Sequence, residues 1–190
     1  MKKISIKEIL VPTIALFIFC LVATALLAGT NMITKDKIAE NAVQTEIASR
    51  GAVLPEGKSY SDTVIADNGV TYCIGYDAEG NEAGYVFTTG AKGYGGTVSV
   101  MVGMDTEGNI TGVEILSHSE TPGLGANATK ADFKERFIGK NGTLTVNKNS
   151  NEGQNVQAIT AATITSNAVV KAVNLATETY NQIVGGENNG

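Results

Sequence analysis

Residues 9–29, ILVPTIALFIFCLVATALLAG, run for 21 positions without a charge. At about 1.5 Å of rise per residue, a helix of this length crosses a hydrocarbon layer of ~30 Å. Lys2, Lys3 and Lys7 precede the run, and cations clustered at one end of a span stay on the cytoplasmic side. The pattern predicts a cytoplasmic stub over 1–8, a transmembrane helix over 9–29, and the rest of the chain outside the cytoplasm. Pro12 is placed in the first turn, where a missing N–H does no harm. A cleaved signal peptide is the rival reading, because Ala23-Thr24-Ala25 has the small-x-small form of a cleavage site. The apolar residues continue through Leu26 and Leu27, and helical spacing persists after Gly29, which favours the anchor. No cysteine stands at the end of the run to accept a lipid.

Charge and cysteine content narrow the partners. The formal net charge is −5, but residues 1–30 carry Lys2, Lys3 and Lys7 against Glu8, which is +2 and leaves −7 for residues 31–190. An acidic outer portion argues against nucleic acid and against adhesion to headgroups, so membrane lipid is met through the span. Cys20 lies in the apolar run and Cys73 far outside it, so they cannot pair, and neither has metal-site spacing.

Residues 31–50 place Ile33, Ile38, Ala42 and Ile47 at broadly helical intervals among charges, predicting a stalk helix over 30–50 that ends near Gly51. An internal echo follows. Asp77-Ala78-Glu79-Gly80-Asn81 recurs 28 positions on as Asp105-Thr106-Glu107-Gly108-Asn109. Tyr72, Ile74 and Tyr76 alternate before the first block, and Val98, Val100 and Val102 before the second. Glycine and asparagine supply the positive φ of tight turns, so two hairpins are expected. A calcium loop competes with this reading, but the carboxylate spacing of an EF-hand is absent.

Beyond residue 126, NATKADFKERFIGKNG predicts a short helix with Phe133 and Phe137 on one face, closed near Gly139. TLTV (143–146) and VQAI (156–159) are short strand candidates. In the last helix Val169, Ala172, Val173, Ala176, Tyr180 and Ile183 share a face, while Lys171, Asn174, Glu178 and Asn181 face away. Hairpins interrupted by helices predict an α+β domain over 51–184, built on an antiparallel sheet with flanking helices, before a flexible tail at 185–190.

Side chains that carry chemistry are few. No nucleophile–base pair and no carboxylate cluster stands out, so neither a catalytic residue nor a metal ligand is assigned. His118 reads as a hydrogen-bonding loop residue and Glu120 as an exposed carboxylate. Two glycine-rich loops, AKGYGGTVSV (91–100) and ETPGLGA (120–126), let backbone approach a ligand closely, and Tyr94 and Leu124 offer surface to a ring. Turns in an antiparallel sheet have the same composition. The stretch AITAATITSNAVVKAV (158–173) crowds hydroxyls at a helix entrance. Thr165 or Ser166 is a good N-cap, and one hydroxyl is enough for that. A helix N-terminus also favours phosphate, so a phosphate ester on a threonine there is electrostatically welcome.

KGYGGTVSVMVGMDTEGNITGVEILSHSETPGLGA (92–126) followed by ITAATITSNAVVKAV (159–173) resembles the FMN-binding domain of the G subunit of the Rnf electron-transport complex. The C subunit of the sodium-pumping NADH:quinone reductase has the same domain. The resemblance covers nearly the whole chain and implies FMN held covalently, by a phosphoester to the last hydroxyl of the motif Ser/Asp-Gly-Ala-Ser/Thr-x-Ser/Thr. On this chain the motif is Thr160-Ala161-Ala162-Thr163-Ile164-Thr165, and the bearer is Thr165. Thr163, Tyr94, Gly95, Gly96, Glu120, Thr121, Gly123, Leu124 and Gly125 become the cofactor-binding positions. Two residues depart from the family pattern: Ala161 replaces glycine, and Thr160 replaces serine or aspartate. If that glycine serves a positive φ, alanine there slows attachment.

The resemblance further implies a single-pass protein of the cell membrane, with its N-terminus cytoplasmic and its domain outside. It would be an electron carrier in a complex that couples ferredoxin:NAD electron transfer to sodium or proton transport. Whether the isolated chain is an enzyme stays open. The implied partners are the other membrane and iron–sulfur subunits, and a flavin transferase for maturation. Three alternatives remain: the C subunit of the quinone reductase, a stand-alone flavin shuttle, and a non-redox binding module with an ordinary capped helix.

Overall fold

The computed structural model describes residues 6–187. Lys2, Lys3, the side chain of Lys7 and residues 188–190 of the expected tail lie outside the described residues. The chain divides into two units, Met1–Gln44 and Thr45–Gly190.

The first unit is helix, the greater part of α1 (Ile6–Val53). The expected span and stalk both lie in α1, which is long and apolar enough to cross a membrane. Phe17, Phe19, Leu26 and Leu27 are all exposed, and a helix apolar on every side needs an apolar surrounding. Its threonines are satisfied internally. Thr13 and Thr24, inside the expected span, donate to the carbonyls four residues back at 2.8 and 2.7 Å, the bond that would satisfy a hydroxyl in hydrocarbon, and Thr30 and Thr34 beyond it do the same at 2.9 Å. Pro12 is not in the first turn. Among the described residues the helix already runs from Ile6, which leaves the proline more than one turn inside it.

In the second unit the sheet comprises β1 (Ser59–Tyr60), β2 (Val64–Ile65), β3 (Thr71–Tyr76), β4 (Glu82–Lys92), β5 (Thr97–Met104) and β6 (Ile110–Ser117). Its order is β1-β3-β4-β5-β6 with β2 also on β3, and every pairing is antiparallel. The two D-x-E-G-N blocks form the β3–β4 and β5–β6 turns. Asp77 Oδ1 accepts the N–H groups of Glu79 and Asn81, and Asn81 Nδ2 donates to Oδ2. Asp105 repeats each contact. Gly80 (φ 88°) and Gly108 (φ 81°) supply the left-handed step. The carboxylates therefore serve the turns' own donors.

Strand alternation sorts two cores. Phe87, Val98, Val100 and Val102 face α3 (Thr163–Glu187), meeting Val169, Val173, Ala176 and Tyr180. Val86, Met101 and Cys73 face the other way, onto Val53 and Leu54. Asn174 does not face away as expected: it exchanges two hydrogen bonds with the Leu144 backbone, at 2.8 and 2.9 Å. That side of α3 is covered by β7 (Thr145–Asn147), which pairs in parallel with β8 (Asn155–Gln157). The helix expected after 126 is three short pieces: a 3-10 turn (Gly125–Thr129), α2 (Ala131–Lys134) and a second 3-10 turn (Glu135–Phe137). Extended backbone at Lys130 separates the first two, yet Phe133 and Phe137 are both buried, and Gly139 (φ 75°) closes the segment.

Candidate functional site

The pairing of Ser99 with Ser117 brings the β4–β5 tip beside the segment that leaves β6. At the tip, the Gly93 N–H donates to the Gly96 carbonyl at 2.7 Å. In the neighbouring segment the Leu124 N–H donates to Thr121 O at 3.1 Å, around Pro122 and Gly123 (φ 79°). Proline followed by positive-φ glycine is the type II turn pattern, so Gly123 serves the turn.

Glu120 lies between these loops. It was expected to be exposed but is only 6% exposed, because its carboxylate has donors waiting. Oε1 accepts the Gly95 N–H at 2.9 Å, and the Tyr94 N–H also donates to the carboxylate. Thr165 Oγ1 donates to Oε2. The Glu120 N–H donates to His118 Nδ1 at 3.2 Å, which gives His118 its expected loop role. Burial pushes the carboxyl pKa up, but the Thr165, Gly95 and Tyr94 donors and the nearby His118 outweigh it, and the net shift is below the ordinary 4.5.

Missing side chains make room for this group. A Cβ on Gly93 would lie 2.5 Å from Glu120 Oε1. One on Gly125 would lie 2.5 Å from Thr165 Oγ1 and 2.6 Å from Glu120 Oε2, and one on Gly95 would strike the Ser119 carbonyl. Gly96 is different, with its nearest contact at 3.5 Å. Sequence reasoning missed Gly93 altogether, since nothing local marks a glycine as the floor for a carboxylate 27 positions away.

The helix entrance also differs from expectation. α3 begins at Thr163, so Thr165 sits within its first turn and is neither a cap nor an extended residue ahead of the helix. Ser166 does not cap either. Its hydroxyl donates to Ala162 O at 3.0 Å and accepts the Ile159 N–H at 2.9 Å, tying the entering segment to the helix. Ala161, where the family pattern has glycine, takes φ 60°, the one positive value at a non-glycine among the described residues. The position does require the left-handed region.

A cavity of about 580 Å³ opens between loop and helix, within the range of roughly 300–1,000 Å³ that holds small ligands. Tyr94, Glu120, Thr121, Leu124 and Gly125 line one side, and Ala161, Ala162, Thr163, Ile164 and Thr165 the other. Tyr94 (73% exposed), Leu124 (43%) and Ile164 (56%) present apolar surface at its rim. Ile164 was not anticipated; as the motif's variable position it carried no signal. Gly95, Gly96 and Gly123 are not among the residues that line the cavity. The donor set suits an FMN phosphate. The first N–H groups of a 25-residue helix lack intrahelical partners, and the buried Thr165 hydroxyl lies among them.

Comparison with known proteins agrees with this geometry. The family described as FMN-binding domain matches residues 93–178, and the RnfG N-terminal region matches residues 1–53. The G subunit of the Na(+)-translocating ferredoxin:NAD(+) oxidoreductase complex of Acetobacterium woodii is 35% identical over 186 residues, covering 88% of this chain and 89% of that one. The G subunit of the proton-translocating ferredoxin:NAD(+) oxidoreductase complex of Clostridium ljungdahlii is 33% identical over 173 residues, covering 90% and 91%. NqrC of Shewanella oneidensis shares the fold, with a TM-score of 0.53 at 22% identity over 72% of this chain and 74% of that one. The chain belongs to the family of G subunits of the ion-translocating Rnf oxidoreductase complexes.

Proposed function

We propose that this chain is a membrane-anchored electron carrier of a ferredoxin:NAD oxidoreductase complex, bearing FMN as a phosphoester on Thr165. The observation that carries the attachment is the Thr165 hydroxyl itself, held in the first turn of α3 at the wall of a ligand-sized cavity. The helix dipole favours the ester's negative charge there. Bound FMN supplies one- and two-electron redox chemistry. The chain's own residues would hold it: Thr165 would fix the phosphate end, the first N–H groups of α3 would be available to it, and Tyr94, Leu124 and Ile164 would offer apolar surface to the ring. Electron transfer needs no acid–base pair at the ring, which accords with the lack of one in the sequence.

In this reading residues 9–29 span the cell membrane, residues 1–8 are cytoplasmic, and the domain works outside beside the membrane and iron–sulfur subunits. A flavin transferase attaches the cofactor. Intact mass of the chain co-expressed with a flavin transferase tests the attachment. A gain of one FMN minus water, lost in Thr165→Ala, is the expected result, and an unmodified wild-type chain overturns it. Protease added to intact spheroplasts tests the topology: it should digest the domain, and full protection reverses the orientation.

A further inference from the structure

The geometry points to Glu120 as the residue that selects the Thr165 hydroxyl for modification and takes its proton as the ester forms. This inference rests on the attachment at Thr165 proposed above. Three hydroxyls stand together at residues 163, 165 and 166, and the structure treats them differently. That of Ser166 is committed to Ala162 O and the Ile159 N–H. Thr163, the first residue of the helix, lines the cavity half-buried. Only the Thr165 hydroxyl donates to Glu120 Oε2. A hydroxyl that donates its proton to a carboxylate turns its lone pairs away from that carboxylate, which is the orientation a nucleophilic oxygen needs.

The carboxylate is built in rather than incidental. It is buried, fixed on Oε1 by the Gly95 N–H, and set in a space that side chains on Gly93 or Gly125 would fill. A carboxylate so supplied with donors is a weak base toward a resting alcohol. It need not be strong, because the alcohol's acidity rises steeply as its oxygen bonds phosphorus, and a positioned acceptor contributes about 10²–10⁴-fold to such steps.

The step balances as a phosphoryl transfer. FMN alone would have to expel hydroxide, so the donor is a flavin dinucleotide, whose pyrophosphate supplies a nucleoside monophosphate as leaving group. The bond between Thr165 Oγ1 and the flavin-side phosphorus forms while the bond from that phosphorus to the bridging oxygen breaks. The hydroxyl proton passes to Glu120 Oε2 and then to solvent, and the nucleoside monophosphate departs with the bonding pair. No electron changes hands.

The test is single-turnover labelling of the purified full chain by a flavin transferase at saturating flavin dinucleotide, followed by intact mass and peptide mapping. Wild type, Glu120→Gln, Glu120→Asp and Thr165→Ala are compared, with circular dichroism as the check of folding. The expected result is labelling of wild type at Thr165, a loss of ~100-fold or more in rate for folded Glu120→Gln, and partial recovery in Glu120→Asp. The recovery separates proton transfer from packing, because aspartate restores the carboxylate but not its length. A folded Glu120→Gln chain labelled as fast as wild type, or faster, overturns the role of Glu120 and leaves Thr165 standing. Unlabelled wild type, or labelled Thr165→Ala, overturns the attachment and this inference with it. Should glutamine at 120 fail to fold, the aspartate variant decides: wild-type rate overturns the inference, and slowed labelling upholds it.

Discussion

Thr165 and Glu120, 45 residues apart in sequence, share a buried hydrogen bond in which the threonine hydroxyl is donor. Removing that donor leaves a buried carboxylate oxygen short of a partner, which costs about 1.5–3 kcal/mol when the acceptor is charged. Thr165→Ala should therefore lower unfolding free energy in urea by that order as well as abolish covalent flavin. Thr165→Ser, which keeps the hydroxyl, should retain the label and nearly all the stability. Equal stability of the alanine and serine variants would remove the energetic argument for the pair.

Glycine at 161 should stabilise the domain. Ala161 sits at φ 60°, where a Cβ costs roughly 1–2 kcal/mol. Ala161→Gly should raise the denaturation midpoint by the equivalent of about 1 kcal/mol, less some entropy returned to the unfolded chain. A lowered midpoint would mean that the segment does not need the left-handed region.

The two loop glycines Gly125 and Gly96 should behave oppositely, although sequence reading treats them alike. Gly125→Ala drives a methyl to within 2.5 Å of Thr165 Oγ1, an overpacking that costs about 1–3 kcal/mol and displaces the Thr165 hydroxyl. Gly96→Ala meets nothing nearer than 3.5 Å and should stay within ~0.5 kcal/mol of wild type. Thermal melts and the labelling rate of both variants check this. Matching losses in the two would disprove the cradle.

Acid should cancel the contribution of Glu120. Its folded pKa lies below its ordinary 4.5, so the folded state prefers the ionised form. That preference is fully present above the unfolded pKa and is lost as pH falls through the folded value. The stability gap between wild type and Glu120→Gln should thus be widest near neutrality and close as pH drops below 4.5. The interaction with His118 is present only in the protein that keeps the carboxylate, so it is part of this gap. A gap that widens in acid contradicts the shift.

Local chemistry was readable in the sequence. The paired D-x-E-G-N turns declared themselves because Asp77 and Asp105 bond donors two and four residues away. The buried face of α3 followed from its spacing. Long-range partnership was not readable. Glu120 looked like any loop carboxylate because its donors come from the β4–β5 tip and from α3. Asn174 looked like a solvent residue because the Leu144 backbone it bonds lies 30 positions away. The helix start was misjudged because threonine preference for caps is only a local tendency, and here Ser166 and Ile159 fix the entrance instead.

The Thr165 hydroxyl belongs to a residue only 2% exposed. Yet the same residue lines the cavity between loop and helix. Under the attachment proposed above, an incoming phosphate would reach the hydroxyl through that cavity alone, with Glu120 already in place beside it. Any molecule lodged in the cavity would then compete with loading, and the walls that admit the flavin would afterwards screen the ester from bulk water.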